Sequence, residues 1–260
     1  MAHPQAERML SGQSAIVTGS GSGLGEAAAI ALADAGARVI VTDLPSKLDH
    51  AQRVVDRIRA AEGHAIAAPL DVRDLDLVQG VVDAATDAFG RLDILVNNAG
   101  LNIRQAAFDV TEEAWDAVLD VNLKGLFFMA QRAARAMRDQ SPAGGCIVNI
   151  ASIMGLVGYK DRAAYCASKG GVVNLTRVLS YEWATIPIRV NALCPTFVMT
   201  PMTAPLLNDP VAGGDLLSRT PQGRFADPED VANALLYLCS PGARMVTGIA
   251  LPVDGGWTAV

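Results

Sequence analysis

Tyr165 and Lys169 stand four residues apart in the run Tyr165-Cys166-Ala167-Ser168-Lys169, with a hydroxyl available upstream at Ser152. On a helix that spacing stacks the two side chains on one face. A free phenol has a pKa of about 10, so only about one molecule in a thousand is ionised at neutral pH. An ammonium held against the phenol favours the charged form, the condition for a tyrosine to act as general acid and base. The same pair can also simply decorate a helix surface, because the pattern is common. Its weight depends on what the rest of the chain builds around it.

A second chemical feature lies near the start, in Gly19-Ser-Gly-Ser-Gly-Leu-Gly25. Residues without Cβ let backbone N–H groups approach a pyrophosphate at a helix N-terminus. The loop follows the apolar run Ser14 to Thr18 and precedes an alanine-rich helical stretch, Glu26 to Ala35, with Gly36 as its cap. A further apolar run, Ala37 to Asp43, ends on a carboxylate. Asp43 would accept hydrogen bonds from ribose hydroxyls and repel a 2′-phosphate. Lys47 is the nearest cation to Asp43 and the loop itself has none, which favours NAD over NADP.

Strand, glycine loop, helix and strand make a βαβ unit, which requires a parallel pair with a right-handed crossover. The alternation continues with a helix over 46–62, a strand over 64–72, a helix over 74–89 and a strand over 93–99. Thr111 caps a single long helix running to about Met137, and the fifth strand spans 145–152. The Tyr165 helix, a sixth strand over 188–194, a helix from Asp227 to Leu238 and a seventh strand over 249–253 complete the series. The expected class is α/β, a doubly wound seven-stranded parallel sheet with helices on both faces, in one domain spanning 1–260. Residues 196–223 break the rhythm, with Pro201, Pro205, Pro210 and Pro221 and little periodicity. A long connection after a strand's C-terminal end is expected to be a substrate lid.

Composition narrows the function. The 260 residues carry 21 Lys plus Arg against 27 Asp plus Glu, with no basic stripe, which argues against a nucleic-acid partner. Met1 to Leu10 holds His3, Glu7 and Arg8 where a signal peptide needs an apolar run, and no apolar run reaches membrane-spanning length. Cys146, Cys166, Cys194 and Cys239 are widely spaced in apolar surroundings, as expected of four buried thiols in a reducing cytoplasm. His3, His50 and His64 have no partner at metal-ligand spacing, so no metal is expected and a Ser-His-Asp hydrolase has little to work with.

Thr18-Gly19-x-x-x-Gly23-x-Gly25, Asn97-Asn98-Ala99-Gly100, and Ser152 with Tyr165-x-x-x-Lys169 occur in this order and spacing. Over almost its entire length the chain thereby resembles the short-chain dehydrogenase/reductase family. The resemblance implies a Rossmann-type fold and hydride transfer between an alcohol or ketone and a nicotinamide cofactor. In it Ser152 orients the substrate oxygen, Tyr165 exchanges its proton, and Lys169 holds the nicotinamide ribose and lowers the tyrosine pKa. Asn122 matches the asparagine that keeps a water against the lysine.

For the cofactor the resemblance implies Gly19, Ser22, Gly23, Leu24 and Gly25 at the pyrophosphate, and Asp43 and Leu44 at the adenosine ribose. It implies Asp71 and Val72 at the adenine. Asn98, which also braces the central strands, Ala99, Gly100, Tyr165, Lys169 and Pro195 are implied as further cofactor contacts, with Val198 and Thr200 where the carboxamide is usually bound. Members commonly have Pro-Gly after the sixth strand, whereas this chain has Pro195-Thr196. Threonine does not take positive φ cheaply, so a differently shaped loop is expected there.

Leu101-Asn102-Ile103-Arg104 resembles members acting on gluconate-type sugar acids. Arg104 would clamp a carboxylate, Asn102 would contact a hydroxyl, and Tyr159 and Arg162 are weaker substrate candidates. The competing readings are a 3-oxoacyl thioester (acyl carrier protein) reductase and a catalytically silent dinucleotide-binding sensor or scaffold. The second has no need of the complete Asn122, Ser152, Tyr165, Lys169 set. The helix from Trp115 to Met137 and the Tyr165 helix are apolar on more than one face, which with the resemblance points to a homotetramer or dimer.

Overall fold

The computed structural model describes residues 8–200 and 203–259. Its strands are β1 (Ser14–Val17), β2 (Arg38–Asp43), β3 (His64–Pro69), β4 (Ile94–Asn97), β5 (Gly145–Ile150), β6 (Ile188–Pro195) and β7 (Ala250–Val253). They form one parallel sheet in the order β3-β2-β1-β4-β5-β6-β7. Side-chain alternation divides each central strand between two layers. Ala15, Val17, Val39, Val41, Ile94, Val96 and Val148 face one layer, while Ile16, Ile40, Leu95 and Ile147 face the other.

The first layer is covered by α1 (Gly23–Asp34), α2 (Leu48–Ala60) and α9 (Pro228–Cys239), through Leu32, Val54, Ile58, Leu235 and Leu238. The opposite layer is covered by α3 (Leu75–Phe89), α5 (Leu126–Asp139) and α6 (Ala163–Glu182), through Val78, Val82, Met129, Met137 and Leu179. Local signals set the helix ends. Asp74 accepts from the N–H groups of Asp76 and Leu77 at the start of α3, and Gly90 ends it at φ 78°. No helix among the described residues is long and apolar enough to cross a membrane.

One expectation needs correction. The helix predicted from Thr111 to Met137 is not uniform: α4 (Glu112–Leu119) passes through a π-helical turn, Asp120–Gly125, before α5. The wider turn brings Gly125 so close to the chain before α3 that a Cβ would stand 2.8 Å from the Val72 carbonyl. It also presents Asn122 to the site, and such turns concentrate at functional positions. Within 196–223, expected as a lid, α7 (Ala204–Leu207) and α8 (Ala212–Ser218) form and bury Leu207 and Leu216. Smaller shifts are the early end of β3 at Pro69 and the half-buried position of Cys166. His3, Glu7 and Pro201 lie outside the described residues.

Between β1 and β4 the strand order reverses, and a polar knot holds the crevice open there. The Thr18 hydroxyl accepts from the N–H groups of Asn98 and Ala99, both at 2.9 Å, while Asn98 Nδ2 donates to the carbonyls of Thr18 and Gly19 at 2.9 Å. Thr18→Val keeps the shape and removes the acceptor for two N–H groups. It should cost about 2–4 kcal/mol in urea unfolding, against under about 1 kcal/mol for Thr18→Ser. An equal loss in both would point to packing instead.

Candidate active site

The C-terminal ends of β1, β4, β5 and β6 surround one crevice. Ser152 follows β5 and accepts from Met154 N–H at 3.1 Å, which fixes its hydroxyl at the start of a 3₁₀ turn, Ile153–Gly155. That turn lies hard against α6: a Cβ on Gly155 would stand 2.6 Å from the Lys169 carbonyl. Glycine at 155 therefore lets Ser152 approach the helix that carries Tyr165 and Lys169.

Lys169 is 3 % exposed, and its Nζ donates to the Ile150 carbonyl at 2.7 Å. It lies 5.7 Å from the centroid of the Tyr165 ring. Asn122 donates to the Leu101 carbonyl at 2.8 Å and to Ser168 Oγ at 3.1 Å, and accepts from Leu101 N–H at 2.7 Å. The carboxamide thus ties the π turn, the loop after β4 and α6 into one unit. A Cβ on Gly100 would stand 3.5 Å from Asn122 Oδ1 and 3.7 Å from Lys169 Nζ, so these three residues converge.

Burial sets the protonation energetics. It pushes the Tyr165 phenol up, while the Ser152 hydroxyl and the Arg162 charge pull it the other way. Burial lowers Lys169 to about 8. In this geometry the Lys169 ammonium donates to the Ile150 carbonyl, and burial is the largest influence on the phenol.

The glycine loop has the shape expected for a pyrophosphate. Gly19 and Gly23 take φ of 62° and 58°, and Ser22 precedes α1 with its side chain making no cap. A Cβ on Gly25 would overlap the Gly19 carbonyl, and one on Gly21 would overlap the Asp43 carboxylate. Asp43 therefore leans over the loop from the end of β2, with Leu44 N–H donating to its Oδ1 at 2.8 Å. The open N–H groups at the start of α1 beside a carboxylate fit an adenine dinucleotide. Leu24 packs on the core below.

Asp71 sits at the end of the β3 connection with its carboxylate forked to Arg73, which holds it below the usual carboxylate range. Val72 packs on Gly125. Pro195 and Val198 are buried, and Thr200 bonds to the Thr203 hydroxyl while its methyl faces Gly23. Thr196 avoids positive φ: its N–H donates to the Val253 carbonyl at 3.1 Å, which prolongs the β6–β7 pairing. Its hydroxyl is buried without a partner among the described residues.

Of the substrate candidates, Asn102 and Arg104 are exposed on the loop after β4, and Tyr159 is half-buried. Tyr159 packs with Phe197 and Trp257 at ring separations of 6.1 and 6.4 Å, beside Tyr165. Trp257 and Phe197 escaped the sequence reading because no local pattern links the C-terminus or 197 to Tyr165. Thr18 and Ser168 lay within the quoted motifs, but their bonds to Asn98 and Asn122 appear only in three dimensions.

Residues 19–258 match the family described as enoyl-(acyl carrier protein) reductase. The chain belongs to the short-chain dehydrogenase/reductase family. It is 36 % identical to a 2-dehydro-3-deoxy-D-gluconate 5-dehydrogenase of Escherichia coli, over 96 % of this chain and 97 % of the relative. It is 41 % identical to a cis-4-hydroxycyclohexanecarboxylate dehydrogenase of Sinomonas cyclohexanicum, over 95 % and 96 %. A 3-oxoacyl-(acyl-carrier-protein) reductase of Thermotoga maritima is 38 % identical over 95 % and 98 %.

Among solved structures, one described as a short-chain alcohol dehydrogenase from Sinorhizobium meliloti aligns with TM-score 0.92 and 41 % identity, covering 98 % of this chain and 99 % of the other. A protein from Agrobacterium tumefaciens proposed to be a 2-deoxy-D-gluconate 3-dehydrogenase, with bound NADP, aligns with TM-score 0.88 and 38 % identity, covering 98 % and 100 %. Family members of this kind are oxidoreductases acting on CH–OH groups, and this chain is one by that membership.

The buried ammonium gives a pH test. Lys169 is near 10.5 unfolded and about 8 folded, so between those values the unfolded chain binds more protons and parent stability rises with pH. Below the folded value the cost of burying the charge is fully present. Relative to Lys169→Met, the parent should gain about 2 kcal/mol between about pH 8 and about pH 10, measured by urea unfolding. A difference that stays flat over that range would show that the folded chain keeps the proton, with no lowering of the Lys169 pKa.

Proposed function

We propose that this protein is an NAD-dependent oxidoreductase that interconverts a secondary alcohol and a ketone on a sugar acid, polyol or similar small hydroxy compound. The observation that carries the reading is the convergence of Lys169, Asn122 and Gly100 beside Tyr165, with Ser152 locked onto the same helix by the Gly155 contact. Ser152 positions the substrate oxygen and stabilises charge that develops on it. Tyr165 takes the hydroxyl proton in oxidation and returns it in reduction. The cofactor, when bound, supplies the hydride acceptor.

Gly19, Ser22, Gly23, Leu24 and Gly25 would hold the pyrophosphate, and Asp43 and Leu44 the adenosine ribose. Asp71 and Val72 would border the adenine. Asn98, Ala99 and Gly100 would line the nicotinamide ribose together with Tyr165 and Lys169, and Pro195, Val198 and Thr200 the carboxamide side. Lys169, once offered ribose hydroxyls, favours the Tyr165 phenolate by its charge. Asp43 supports NAD, since a carboxylate leaning over the loop repels a 2′-phosphate. The Agrobacterium structure holds NADP, so the relatives do not decide this point.

Thioester reduction is the competing reading, favoured by the Thermotoga relative. The chain as one domain with 196–223 as a substrate lid, and the cytoplasm as its compartment, complete the proposal; the four cysteines are free. The outer face of α4, α5 and α6 carries an open groove of about 500 Å³ lined by Leu119, Leu123, Phe127, Gly171, Leu175 and Val178. Pairing of that face between copies would cover it in a dimer or tetramer.

Initial rates with NAD and NADP across sugar acids, polyols and simple secondary alcohols, with a 3-oxoacyl thioester in reverse, test the assignment. Tyr165→Phe should lower kcat by about 10²–10⁴, and unchanged turnover would sink the acid/base role. Asp43→Ala should reduce the NAD-to-NADP ratio of kcat/KM by about tenfold or more, as expected for loss of one charge-assisted contact. Light scattering should give a multiple of 27.2 kDa, and a pure monomer would remove the pairing of the α4–α6 face.

A further inference from the structure

Arg162 is the charged residue that the acid/base reading leaves without work. It is 5 % exposed, and its Nε and Nη1 are buried with no hydrogen-bond partner among the described residues. Its guanidinium carbon lies 5.0 Å from the centroid of the Tyr159 ring and 5.9 Å from that of Phe197. Both rings belong to the apolar cluster that holds Ile153, Met154 and Trp257 and against which Tyr165 packs. Arg162 also stands at the N-cap of α6, three residues before Tyr165, and its charge acts on that phenol.

The surroundings oppose a bare cation there. Buried guanidinium groups are nearly always paired with an acid. No carboxylate among the described residues acts on this one, and the charged neighbour is Arg104, of like sign. The positive end of the α6 dipole adds to the repulsion. Burial and Arg104 together pull the Arg162 pKa down, while the two rings offset part of that cost.

The backbone is arranged to keep the arginines together. Gln105 N–H donates to the Asp161 carbonyl at 3.1 Å, and Gln105 bridges to Arg162, so the loop carrying Arg104 is stitched to the loop carrying Arg162. Asp161 takes φ of 60°, a conformation that costs energy for a residue with a Cβ. A strained turn that delivers an unpaired cation beside a tyrosine is a feature associated with ligand sites.

We infer that Arg162, with Arg104 beside it, anchors a carboxylate on the substrate, so that the enzyme's substrates are hydroxy acids and their keto acids rather than neutral alcohols. The inference rests on Tyr165 as the acid/base. The Nε–Nη2 edge of a guanidinium, the fork that Arg73 turns to Asp71, matches two carboxylate oxygens, which a point charge does not, and Nε on that edge of Arg162 is unused. Tyr159, Phe197 and Trp257 supply a flat apolar wall for the carbon body between the acid and the hydroxyl. Arg104 becomes the outer of the two cations, and Arg162 the specificity-determining one.

The test compares cis-4-hydroxycyclohexanecarboxylate and gluconate with cyclohexanol and glycerol, in the parent, Arg162→Met and Arg162→Lys, all with bound NAD. The acid-to-neutral ratio of kcat/KM should fall about a hundredfold in Arg162→Met and about tenfold in Arg162→Lys, as loss of a buried charge pair and of its fork requires. Cyclohexanecarboxylate, which has no hydroxyl to oxidise, should raise the melting temperature of the parent and not of Arg162→Met. Without ligand, Arg162→Met should melt no lower than the parent, because an unpaired buried charge has been removed.

An unchanged acid-to-neutral ratio, or a lower melting temperature with equal losses on acids and neutral alcohols, would make Arg162 a packing residue and overturn the inference. A parent that oxidises neutral alcohols as well as acids would also overturn it, while leaving the Tyr165 reaction in place. Stabilisation of the parent by cyclohexanecarboxylate without turnover of any alcohol would keep the anion site and remove the proposed reaction.

Discussion

An ammonium buried at the C-terminal end of a central strand is the constraint around which this site is organised. Lys169 Nζ has been taken out of water and given the Ile150 carbonyl, the last residue of β5, as its hydrogen-bond partner. Such a group is tolerated only where the surrounding polar atoms are held in fixed places. Asn122 does part of that holding, because its carboxamide is saturated by Leu101 and Ser168. The π turn in the α4–α5 helix follows from the same demand, since it brings Asn122 in while letting Gly125 lie on Val72.

Beneath the site, polar side chains bond to one another through an otherwise apolar interior, with Asn97 Oδ1 left without a partner among the described residues. Asn97 donates to Asn149, and Asn149 to Thr176, at 2.9 Å each, linking β4, β5 and α6. Such chains contribute little net stability per bond, but leaving any member unpaired is costly, so they favour one register over its neighbours. The register they select places Ser152, Lys169 and the Thr18–Asn98 knot around a common crevice. Close packing at Gly25 and Gly155, where a Cβ would strike backbone atoms, removes the remaining freedom.

The two sides of the crevice differ in character. Toward the glycine loop it offers backbone N–H groups and the Asp43 carboxylate, which suits a ligand with phosphates and ribose hydroxyls. Toward α6 and the C-terminus it offers rings, Leu207, Leu216 and a cation without a counter-ion. In the proposed reaction the first side would hold the cofactor and the second the substrate. Short helices α7 and α8 contribute to the second side, which explains why a proline-broken segment of low periodicity nonetheless buries leucines.

The parallel sheet, its seven strands, the glycine loop and the Tyr165–Lys169 pair were legible in the sequence because each rests on local spacing: alternating elements, missing Cβ atoms, a four-residue helical repeat. The chain by itself also named Ser152 and Asn122, through a motif order shared with a family. Tertiary structure alone decided what those groups experience. Burial, which no spacing reports, raises the Tyr165 phenol and lowers Lys169. It also reversed the order of the two arginines: Arg104, singled out from its place after Asn-Asn-Ala-Gly, is exposed, whereas Arg162 is enclosed by Tyr159 and Phe197 from separate parts of the chain. Contacts between residues distant in sequence determine which charges lose their water, and the loss of water is what makes a charge chemically consequential.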